Sequence, residues 1–98
     1  MLIAHVTFSI LPENRALAID ALTQKVTAVR AMKGCGAFVP FLDSSNERDV
    51  GVLHEWETAE DFAAYIKSDI FMTMGEILRP IMVSPPVSKR FDATLIEA

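Results

Sequence analysis

A single cysteine, Cys35, leaves this 98-residue chain unable to close a disulfide on itself, which removes disulfide-stapled secreted scaffolds from consideration. Lys and Arg total only 9 against 13 Asp and Glu, and nowhere do they gather into a basic run. Nucleic-acid binding draws its affinity from cations set against phosphates, so it is disfavoured, and anionic membrane surfaces are disfavoured on the same ground. No apolar run approaches the roughly 20 residues of a membrane span. The two histidines, His5 and His54, make a poor metal-ligand set with one cysteine, so no metal and no cofactor are expected. There is no GxSxG, no phosphate-binding glycine loop and no CxxC pair. The start, MLIAHVTF, lacks the basic segment and small-residue cleavage site of a secretory leader, and a reducing cytoplasm is the expected location.

What the chain has in plenty is apolar side chains, 51% of its residues, with a formal net charge of −4. A single domain spanning residues 1–98 buries only about 60–65% of the surface that its unfolded chain exposes. That surplus of apolar surface points to an interface between copies, most simply a two-fold homodimer.

Leu2 to Ile10 alternates Leu2, Ala4, Val6, Phe8 and Ile10 against Ile3, His5, Thr7 and Ser9, the pattern of a strand with one apolar face. Pro12 opens a helix near Glu13, and Ile19, Leu22, Val26 and Val29 carry a helical stripe to about Met32. Gly34 and Gly36 end it. Ala37 to Leu42 is extended, and Pro40 within it predicts an edge strand or a bulge. After the polar turn of residues 43–49, Val50 to Glu57 sets Val50, Val52, His54 and Trp56 on one face. Thr58, with Asp61 three residues on, predicts a helix from Ala59, and Ser68 predicts the cap of a second one from Asp69 to Leu78. Pro80, Pro85 and Pro86 mark a loop, and Val87 to Ile96 alternates again. The order is β-α-β-β-α-β, the split βαβ or ferredoxin-like α+β arrangement, with an antiparallel sheet and helices on one face. Its open face would be buried by pairing two sheets.

Phe8 and Pro12, Gly34-Cys35, Trp56-Glu57-Thr58, Phe62, the run from Lys67 to Phe71 and Pro85-Pro86 resemble the antibiotic biosynthesis monooxygenase (ABM) domains, the quinol monooxygenase type included. The resemblance implies a dimeric α+β barrel with a pocket between sheet and helices in each protomer. It also implies oxygenation of a small quinol- or phenol-type aromatic by molecular oxygen without metal or flavin. Family members often carry Glu where this chain has His54 and His where it has Tyr65. The haem-degrading branch uses an Asn and a His at positions that fall near Val6 and Gly75 here, so a haem ligand is not expected.

Each candidate has two readings. Trp56 is a wall that stacks on a planar substrate, or core. His54 has a neutral-range pKa suited to deprotonating a phenol, or is a core-edge histidine bonded to a helix. Tyr65, three residues from Phe62, orients a substrate oxygen, or is a core aromatic with a solvated hydroxyl. Arg79 stabilises a phenolate, or complements a helix end. Phe71, Met72, Met74, Ile77 and Leu78 form a pliable lid, or ordinary packing. His5 faces the other side of the sheet as an interface or surface residue, and Cys35, between two glycines, is not expected to be a nucleophile.

Such an oxygenase needs one base, one or two hydrogen-bond donors and a dry aromatic pocket. The expected set is His54 as base, Tyr65 and Arg79 as oxyanion partners, and Trp56, Phe71, Met72, Val52 and Phe62 around the substrate. The alternatives are a non-catalytic binding or accessory protein, an isomerase-type enzyme in which His54 moves a proton, and a structural dimer with a collapsed pocket.

Overall fold

The computed structural model describes residues 1–98. The first alternating run forms β1, Leu2–Ser9, and Ile10 continues only as an isolated bridge to Met82. Pro12 opens a 3-10 turn, Pro12–Asn14, which leads into α1, Arg15–Thr23. The single helix expected from Glu13 to about Met32 is interrupted, because α2, Val26–Arg30, starts afresh after residues 24–25. At the break the Thr23 hydroxyl donates to the Ile19 carbonyl at 2.7 Å, a side-chain bond of the kind that bends or ends a helix.

The remaining elements are β2, Cys35–Leu42, β3, Asp49–Trp56, α3, Ala59–Ile66, α4, Asp69–Leu78, a 3-10 turn, Arg79–Ile81, and β4, Val87–Asp92. The strands pair in the order β2-β3-β1-β4, antiparallel throughout, which is the ferredoxin-like topology. β2 lies at an edge, as Pro40 requires, but its irregularity falls between Cys35 and Ala37 rather than at Pro40. β3 stops at Trp56, one residue short of the expected end, because the Glu57 amide donates instead to the Gly34 carbonyl at 2.7 Å. Gly34 has a φ of +80°, and a Cβ there would collide with the Asp61 carboxylate, so glycine is needed both for the turn and for the approach of α3.

β4 ends at Asp92 rather than reaching Ile96. Its one neighbour is β1, and their register closes with Leu2 opposite Asp92, after which only Met1 is left to bond Ala93. The same register turns β4 over relative to its apolar pattern. Ser88 lies opposite Val6 and Arg90 opposite Ala4, on the helix-covered face, while Val87, Lys89 and Phe91 look out from the open one.

The core lies between the helices and that covered face, where Ala4, Phe8, Phe38, Val50, Val52 and Trp56 of the sheet meet Ala18, Leu22, Val29, Phe62, Tyr65, Met74 and Leu78. Helix starts follow the caps: the Asp61 amide donates to Thr58 Oγ1 at 3.1 Å and the Phe71 amide to Ser68 Oγ at 3.2 Å. No helix is long and apolar enough to cross a membrane.

Candidate functional site

β3 brings His54 and Trp56 to the covered face two residues apart, and α3 lays Phe62 and Tyr65 over them. Ser68 then joins the two helices, since its hydroxyl donates to the Tyr65 carbonyl at 2.6 Å while accepting from the Phe71 amide. This fixes Phe71 edge-on to Tyr65, with ring centroids 5.4 Å apart.

A cavity of about 210 Å³ opens between the sheet and these helices. It is larger than the engineered cavity of about 150 Å³ that holds benzene and smaller than drug-sized pockets, which begin near 300 Å³, so it suits a ligand of one or two rings. Of the expected site residues, Val52, His54, Phe62, Tyr65, Phe71 and Arg79 line it together. Two do not. Trp56 lies behind His54, 1% exposed, with its ring stacked on Tyr65 at 5.1 Å, so it supports the wall rather than forming it. Met72 is 51% exposed on the outer side of α4, and Met74 takes the inner position. The phase of α4 sets this, because the helix starts at Asp69 and carries Ile70, Phe71, Met74 and Leu78 inward.

The Trp56 indole Nε1–H donates to His54 Nδ1 at 2.8 Å. Indole is a donor only, so His54 Nδ1 must be the unprotonated nitrogen and the neutral ring carries its proton on Nε2. Nε2 has no partner within the protein, nor is it a sealed orphan, so its N–H is available to the cavity. Burial first, and then the positive charge of Arg90, lower the His54 pKa to about 4. A ring in this state is a weaker base and a good hydrogen-bond donor. Tyr65 is likewise held as a donor: burial, with a smaller contribution from Cys35, pushes its phenol well above the usual range. Cys35 itself is pushed up by burial, consistent with an inert thiol. No group of three or more His, Cys, Asp or Glu side chains is gathered in a metal-binding cluster.

Reading by residue type missed Ser88 and Arg90, which join Arg79 and Pro86 at the exposed end of the cavity. The Arg90 guanidinium lies over the Phe62 ring, 4.8 Å from its centroid. Arg79 folds back along α4 against Gly75, where an added Cβ would come within 3.1 Å of the guanidinium. The signal for β4 was its two-residue period, but the apolar half of that period marks the open face.

A profile of the family described as antibiotic biosynthesis monooxygenase matches residues 1–76. Among curated proteins none matches. Solved structures that resemble the chain include a provisionally assigned antibiotic biosynthesis monooxygenase from Nitrosomonas europaea, at 14% identity and a TM-score of 0.91, covering 97% of this chain and 100% of that one. Another with the same provisional assignment, from Deinococcus radiodurans, is 17% identical with a TM-score of 0.91 and covers 100% and 97% of the two chains. A third, from Caulobacter crescentus, is 22% identical with a TM-score of 0.84 and covers 96% and 90%. At such identities the likeness speaks for the fold.

Proposed function

The chain belongs to the antibiotic biosynthesis monooxygenase family, and from that premise we propose that it is a cofactor-independent monooxygenase that oxidises a small quinol or phenol with molecular oxygen, as a cytoplasmic homodimer. The observation that carries this reading is the buried, neutral His54, whose free N–H faces an aromatic cavity of about 210 Å³. A phenol that has lost its proton to solvent presents an oxyanion. The His54 Nε2–H and the Tyr65 hydroxyl stabilise that anion as donors, with no proton taken up by the protein. The anion gives one electron to dioxygen, and the radical pair recombines at a ring CH to a peroxide anion, which takes back from solvent the proton the phenol released and becomes a hydroperoxide. Loss of water from a ring CH–OOH then leaves a quinone, so that one dioxygen is consumed and one water released per turnover. Val52, Phe62 and Phe71 keep bulk water from the pair. Trp56 holds His54 in the required tautomer and Arg79 adds positive potential at the cavity mouth.

The isomerase alternative requires a group that exchanges a proton near neutral pH. The lowered pKa of His54 and the raised one of Tyr65 weigh against that role and favour both groups as donors.

Oxygen uptake by the metal-stripped protein with naphthoquinols, anthrones and catechols, corrected for autoxidation, tests the reading. Uptake above the baseline is expected, falling about a hundredfold in His54→Phe, the scale of losing one oxyanion donor. Binding of the same compounds without uptake would instead make this a binding or accessory protein.

A further inference from the structure

The cavity differs in charge sign from the molecule that contains it. The chain has a formal net charge of −4, yet the 18 residues lining the cavity include Arg79 and Arg90 and no Asp or Glu. Both arginines are exposed at the mouth, whereas His54 is 3% exposed at the floor. The Arg90 guanidinium stands over Phe62 with its Nε directed to Ser88 Oγ at 3.4 Å, and its terminal nitrogens make no hydrogen bond within the protein. Arg79 is braced along Gly75 on the opposing element. The family match spans residues 1–76 and does not reach Arg79, Ser88 and Arg90.

A neutral phenol would be served by the donors at the floor alone. One exposed cation attracts an anion only weakly in water, but Arg79 and Arg90 border the same apolar cavity, and two guanidiniums at one opening can grip a carboxylate through several charge-assisted N–H···O bonds. We propose that the physiological ligand is an aromatic acid of one or two rings that lies with its phenolic end on His54 and its carboxylate between Arg79 and Arg90, with Ser88 as a further donor. This rests on the pocket reading above and adds the substrate class to it. Arg79, Arg90 and Ser88 then act as specificity determinants, set apart from the oxygen chemistry at the floor.

The test is equilibrium binding by calorimetry to the full chain, using 6-hydroxy-2-naphthoate, which carries its hydroxyl and carboxylate at opposite ends, and its methyl ester, neither of which needs to turn over. The acid is expected to bind at least about tenfold more tightly than the ester at low salt, the scale of one or two charged hydrogen bonds. That preference should shrink in 0.5 M salt. It should fall towards unity in the Arg79→Gln/Arg90→Gln double variant and be largely kept in Arg90→Lys, with the single Gln variants each losing part of it should the double variant fold poorly. Equal binding of acid and ester by the wild type, or a preference that survives in the double variant, would overturn the anion site while leaving an aromatic pocket in place. If neither compound binds, the proposal fails together with the pocket reading. Oxygen uptake with uncharged quinols decides the oxygenase reading independently of all these outcomes.

Discussion

Between His54 and Trp56 the same 2.8 Å hydrogen bond sets a tautomer and penalises a proton, because an imidazolium has no lone pair left for the indole. An unfolded histidine titrates near 6.5, and the folded His54 near 4, so over that interval the unfolded chain binds more protons. Stability from this group is therefore complete at neutral pH and is lost as pH falls from about 6.5 to about 4, by up to about 3 kcal/mol. Carboxylates contribute their own slope in acid, so the informative quantity is the difference between wild type and His54→Gln. The thermal midpoint of the wild type should drop more steeply between about pH 6.5 and about pH 4.5. Parallel profiles for the two proteins would mean that His54 titrates normally and can serve as a base after all.

At the scale of elements, Ser68 is the joint that matters most, since one hydroxyl closes α3 and opens α4. Ser68→Ala should cost about 1 kcal/mol, a loss of about 4–8 °C in the thermal midpoint for a domain this size. It should also loosen the edge-on contact of Phe71 with Tyr65 and weaken binding of any aromatic ligand. An unchanged midpoint in scanning calorimetry would show that the adjoining helices hold the corner without it. Such caps were legible in the sequence, as were the strands and their order, because Thr58, Ser68 and the alternation of β1 and β3 are local signals. The clustering of His54, Tyr65, Phe62, Phe71 and Val52 was legible too, since strand phase and the helix that follows fix a shared side. Trp56 was not separable from the cavity wall, because strand phase gives a face but no depth. Met72 depended on helix phase within a turn that is apolar nearly all round. Arg90 was hidden by register: only the pairing of Ala4 with Arg90 shows that the polar half of β4 faces the helices.

For the whole molecule, only 17 of 98 residues are buried although 51% are apolar, and four of the thirteen exposed large hydrophobic residues, Val39, Leu53, Val87 and Phe91, share the open face of the sheet. This is the surface on which the proposed dimer would close, burying apolar area on each protomer. Phe91→Asp should give a monomer in sedimentation analysis where the wild type is a dimer. A wild type that sediments as a monomer, or a variant that still dimerises, would remove that face as the interface. β4 occupies the outer margin of the sheet, with every residue exposed, bonded to a single neighbour and following a loop that carries Pro85 and Pro86. On this strand Ser88 and Arg90 face the cavity while Val87 and Phe91 face the proposed interface, so ligand choice and dimer closure are set on opposite sides of one strand and can be altered separately.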